Sequence, residues 1–174
     1  MIRKKQIWTT IKYFLYILIL FILYAMQTTA GFFSLFGIRP IWVIPFAVAV
    51  SMCEDVVSAA IFGLLSGLLC DLGSRSLFGF NGLLLLCGCV AISLLSFFLI
   101  KVNWKSAFLF GGALASVRAL LEFFFFYFIW GYENIQLIFI QSVLPMLVYT
   151  ILLMPLFLLL VQKIKEKCDS RWKE

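Results

Sequence analysis

The chain has 174 residues, of which 64% are hydrophobic and only 13% are charged, with a mean hydropathy of +1.11. A soluble domain carries roughly 25% charged residues, so this composition excludes a water-soluble globule and points to a polytopic membrane protein. The formal charge of +6 lies in short clusters beside apolar blocks, where it orients spans rather than gripping nucleic acid.

In chain order, Arg3-Lys4-Lys5 precedes an apolar block over 13–30. That run is longer than the roughly 7–15 residues of a signal-peptide core, so it reads as a retained first span. A loop over 31–39 leads to Pro40, a residue that a helix start tolerates, and then to a block at 41–53 that meets Glu54-Asp55. The third block, 56–70, ends on Asp71; the fourth covers 79–100, the fifth 104–130 and the sixth 135–161, with a basic tail over 162–174.

Blocks two and three each fall short of the roughly 20 residues that cross a bilayer. Fused into one helix, they would reach about 45 Å at ~1.5 Å per residue and would hold Glu54-Asp55 in mid-membrane at high cost. Charge decides between the two readings. With six spans and a cytoplasmic N-terminus, Arg3, Lys4, Lys5, Lys12, Lys101, Lys105 and the basic tail all fall inside, against Arg39 and Arg75 outside. Five spans would put the tail outside, against the positive-inside rule. The expectation is an all-α, polytopic integral membrane bundle of six transmembrane helices in a single domain, 1–174. Two of the helices are short, and a solvated cytoplasmic turn at Glu54-Asp55 joins them. Both termini are cytoplasmic. Pro45 is expected to bend the second span, and Trp8, Trp42, Trp104 and Trp130 to anchor block ends at the membrane interface.

Gly63, Gly67 and Asp71 recur every four residues and share one face of a helix. The glycines leave a groove for a neighbouring backbone, which is either another span of this chain or a partner's helix. Asp71 reads as a cap or loop acceptor, or as the ion-pair partner of Arg39 or Arg75. In the fifth block Arg118 and Glu122 stand four residues apart, a spacing at which they pair on one helix face. Alone, each would cost about 2.5–3.5 kcal/mol or more in a membrane. The pair fixes packing, lies on a proton or substrate path, or meets another chain. It shares a stripe with Gly111 and Ala115 that should turn inward, with the phenylalanines after it toward lipid. Further small or weakly polar stripes run through Gly82, Cys89, Ser93 and Ser96, and through Gln141, Pro145 and Tyr149.

No catalytic constellation emerges. Histidine is absent, and there is no nucleophile elbow, zinc-protease signature or phosphate loop. Cys53, Cys70, Cys87 and Cys89 read as small packing residues and Cys168 falls in the tail; no Cys-x-x-Cys is present. No enzyme, metal or cofactor is expected.

Arg39-Pro40-x-Trp42, the Gly63-x3-Gly67-x3-Asp71 stripe and the loop Ser76-Leu77-Phe78-Gly79 together resemble the rod shape-determining protein MreD family. The motif stretch covers about a quarter of the chain, from Arg39 to Gly82; beyond it the likeness is one of hydropathy, with Pro145 and Pro155 in the last span. The resemblance implies a non-catalytic subunit of the machinery for lateral cell-wall elongation in the bacterial inner membrane. That subunit binds the single-span protein MreC and through it joins MreB, a transpeptidase and a SEDS-type glycosyltransferase. Gly63, Gly67, Asp71, Arg39, Pro40 and Trp42 would serve partner binding or helix packing. It also implies a fold similar to the substrate-binding subunits of energy-coupling-factor vitamin transporters, so a small-molecule carrier subunit is the alternative.

Overall fold

The computed structural model describes residues 2–29, 41–73, 77–98, 102–125, 139 and 143–171. These form six helices and no strand: α1 (Ile2–Thr28), α2 (Val43–Cys53), α3 (Val56–Gly73), α4 (Phe80–Phe98), α5 (Trp104–Phe123) and α6 (Leu144–Arg171). All except α2 are long and apolar enough to cross a membrane. The chain is a multi-pass, all-helical membrane protein.

Helix α2 is the hub. Its 11 residues reach about 16 Å at ~1.5 Å each, against a hydrocarbon layer of about 30 Å. Val43 to Met52 are buried without exception, so α2 shows no face to lipid and packs against all five other helices. A helix hydrophobic on every side is stable only in such a position. Phe46 stands edge-on to Tyr16 of α1 and Phe157 of α6, with ring centroids 6.2 and 6.4 Å apart. Trp42, half-buried at the start of α2, stacks edge-on to Phe157 at 6.2 Å. By contrast, α1 is sparsely held and turns Phe14, Leu18, Phe21 and Ile22 outward.

Several expectations need correction. Only one of the two doubtful blocks is short, because α3 continues through Asp71 to Gly73 and its 18 residues suffice to cross. The carboxylate does not end this helix, since α4 supplies it with donors. Pro45 does not bend α2. It is the third residue of the helix, where the backbone N–H has no intrahelical acceptor to lose. The Glu54-Asp55 turn is not solvated throughout, since the Glu54 side chain is 5% exposed. Helix α6 runs through the expected tail to Arg171, with Cys168 buried and Cys87 exposed instead. Trp130 and Gln141 lie outside the described residues.

The closest helix contact joins α3 to α4. A Cβ at position 67 would lie 2.4 Å from the carbonyl oxygen of Asn81 and 2.5 Å from Gly82 Cα, and one at position 63 would lie 2.8 Å from the Leu85 carbonyl oxygen. The glycine stripe therefore seats α4 of the same chain, backbone against backbone, the small-residue packing that membrane helices use. On α5, Gly111 likewise admits Met154 of α6. Because backbone cannot swing aside as a side chain can, Gly67→Leu should cost about 1–3 kcal/mol or more through overpacking. Gly73→Ala, whose nearest neighbour would be 3.8 Å away, should be neutral. Thermal unfolding of both variants in detergent checks the contrast; equal transitions would refute this packing.

Candidate functional site

At the α3–α4 joint, Gly79 has φ +94°, a left-handed conformation that glycine adopts without strain. It opens α4, its carbonyl accepting the first helical bond from Leu83 N at 2.9 Å. A glycine there has no side chain to cap the helix. Asp71 reaches across from α3 and does so instead. Gly79 N and Gly82 N donate to its Oδ2 at 2.9 and 3.1 Å, and Asn81 N and Asn81 Nδ2 donate to Oδ1 at 3.1 and 2.9 Å. A carboxylate on the open amides of a helix N-terminus is favoured by both hydrogen bonding and the helix dipole. That is why an acid that is 4% exposed is tolerated inside an apolar bundle.

The polar chain continues into α5. Asn81 donates an amide N–H to Asp71, and its Oδ1 accepts from Arg118 Nε at 2.7 Å, a pattern that only one amide orientation satisfies. Arg118 Nη2 lies 3.1 Å from Glu122 Oε2. Asp71, Asn81, Arg118 and Glu122 thus form one line of alternating acceptors and donors through three helices. Beside it lies a cavity of about 180 Å³, with Arg118, Glu122 and Thr150 as its polar wall and Ile41, Ile44 and Met146 among its apolar lining.

A second polar cluster closes the opposite end of α2. Lys12 of α1 donates to Glu54 Oε2 at 2.8 Å, and Tyr16 OH donates to Oε1 at 3.2 Å. Tyr13 OH and Ser58 Oγ are 2.8 Å apart. Two carbonyls at the α2 terminus find partners on distant helices: Lys165 Nζ donates to that of Cys53 and Ser93 Oγ to that of Glu54, the latter at 3.3 Å. A cation at a helix C-terminus also complements its dipole.

Of the residues singled out from sequence, Gly63, Gly67 and Asp71 meet at the α3–α4 joint, Arg118 and Glu122 pair beside the cavity, and Trp42 packs on α6. Arg39, Pro40 and Arg75 lie outside the described residues. Asn81, which the carrier reading groups with Arg39, Asp71, Arg75 and the Arg118–Glu122 pair, joins Asp71 to Arg118 from the first turn of α4, and that direct link is what sequence reasoning missed. Its signal was a lone amide opening an apolar block. The Lys12–Glu54 pair was missed as well, because each was assigned to solvent; a lysine directly before the unbroken apolar run from Tyr13 to Met26 was the clue. Among the described residues, no group of three His, Cys, Asp or Glu could hold a metal ion.

Removing one partner of a buried ion pair strands the other, at about 3–5 kcal/mol. Lys12→Ala is therefore expected to lower the unfolding temperature strongly, and the double variant Lys12→Met with Glu54→Gln to recover most of the loss. Asp71→Ala should cost about 1–3 kcal/mol or more by leaving the amides of α4 without an acceptor, read by the same melt and by faster amide exchange at residues 79–82. The chain matches no protein-family model, and no curated protein or solved structure matches it.

Proposed function

We propose that this protein is a non-catalytic scaffold in the bacterial inner membrane, the MreD-like subunit of the cell-wall elongation complex, with MreC as its direct partner. One observation carries this reading. Four residues of the sequence resemblance, Gly63, Gly67, Asp71 and Gly79, come together in the α3–α4 joint: Gly63 against Leu85, Gly67 beneath Gly82, and Asp71 on the amides of Gly79, Asn81 and Gly82. A motif whose members cooperate in one structural joint is a better sign of common architecture than scattered identities. In this reading α2 is a short second span, the termini are cytoplasmic, and MreB, a transpeptidase and a SEDS-type glycosyltransferase are reached through MreC. An apolar groove between α4 and α5, lined by Leu83, Cys87, Leu114 and Val117 among others, gives a single-span partner somewhere to pack.

The test is twofold. Tagged protein should co-purify MreC from solubilised membranes of its own host, and depletion should turn rods into spheres as lateral wall insertion stops. Unchanged shape and wall insertion on depletion, with no MreC recovered, would exclude the scaffold role. The alternative, a carrier subunit for a small molecule, draws on the cavity beside Arg118. It would prevail if the chain co-purified with an ATPase pair in place of MreC.

A further inference from the structure

The cavity has a specific chemical character. Arg118, 4% exposed, uses Nε on Asn81 and Nη2 on Glu122, and its Nη1 bonds to no described residue. Glu122 uses Oε2 on Arg118, and its Oε1 likewise has no described partner. Thr150 spends its proton on the Met146 carbonyl at 2.7 Å, which leaves its oxygen as an acceptor only. Among the described residues that line the cavity, these groups offer a donor and an acceptor side by side, with no net charge, against apolar walls.

That combination selects its guest. A bare anion drawn to Arg118 would face the Glu122 carboxylate, and a bare cation drawn to Glu122 would face the guanidinium, each repelled strongly where water is scarce. A purely apolar guest would strip water from both groups and replace none of their hydrogen bonds, at about 1–3 kcal/mol for each group left unsatisfied. A net-neutral molecule with an acceptor and a donor on neighbouring atoms satisfies both. Size limits the remainder: an engineered cavity of about 150 Å³ admits benzene, and this one has about 180 Å³.

We propose that the cavity between α2, α5 and α6 binds a small, net-neutral dipolar molecule, a carboxamide or a zwitterionic amino acid bearing one compact apolar group. Its acceptor sits on Arg118 and its donor on Glu122. Such a ligand is compatible with a scaffold or a carrier, and its test does not involve MreC.

The experiment uses the full chain in detergent, with thermal unfolding and calorimetric titration against benzamide, leucine, benzoate, benzylammonium and toluene. Benzamide or leucine should bind saturably and raise the unfolding temperature, with the other three at least about tenfold weaker. Glu122→Gln separates the two sources, since losing the charge should weaken leucine about tenfold and benzamide less. Met146→Phe fills the cavity without touching the charged pair and should abolish binding. Ala119→Val does so from the facing helix and serves if Met146→Phe fails to fold. An equal response to toluene, binding of benzoate or benzylammonium alone, no response to any probe, or binding that survives the filling variant would each overturn the proposal.

Discussion

The approach of α4 to Gly67 is the contact on which the other features depend. With no side chain at 67, the backbone at Asn81 and Gly82 settles directly on α3. At that separation the Asp71 carboxylate spans the gap and takes up amides that a glycine-opened helix leaves open. Asn81, held by the same carboxylate, is then aimed at Arg118. A wider joint would break this sequence at its first step. Asp71 would lose its four hydrogen bonds from α4, and Arg118 would lose the Asn81 carbonyl that accepts from its Nε.

The two polar clusters sit at opposite ends of α2 and solve the same problem. Charges inside an apolar bundle persist only when nearly every donor and acceptor is taken up. At one end Glu54 gathers Lys12 and Tyr16, while Lys165 and Ser93 take up neighbouring carbonyls. At the other, the line from Asp71 to Glu122 runs past the cavity. Between them α2 is wholly apolar apart from Ser51, whose hydroxyl bonds back to the Ala47 carbonyl at 2.7 Å. Polar contacts thus gather at the two ends of α2.

Much of this was legible in the sequence, and what was not has a physical cause. Blocks of apolar residues without alternation identify membrane helices, and four-residue spacing puts Gly63, Gly67 and Asp71, or Arg118 and Glu122, on common faces. Hydropathy, however, locates the end of an apolar run rather than the end of a helix. It stopped α3 at Cys70, although a neighbouring helix supplies Asp71 with donors and α3 goes on to Gly73. It likewise stopped the last helix at Val161, whereas α6 extends to Arg171, with Lys165 reaching the end of α2. Partners distant in sequence leave no local mark: Lys12 and Glu54 are 42 positions apart, and Asn81 and Arg118 are 37 apart. Lys12 and Glu54, taken singly, therefore looked solvated, and Arg118 looked paired with Glu122 alone.

The length of α2 has a consequence for how the molecule is made. An 11-residue helix with every face buried cannot be retained by lipid alone, and its housing includes Phe157 and Lys165 of α6. Synthesis proceeds from the N-terminus, so α2 emerges early while α6 emerges last. Until then Phe46 and Trp42 lack the ring that packs against both. The housing of α2 is therefore completed only when α6 docks, and a chain interrupted before α6 leaves this wholly buried apolar helix without one of its walls.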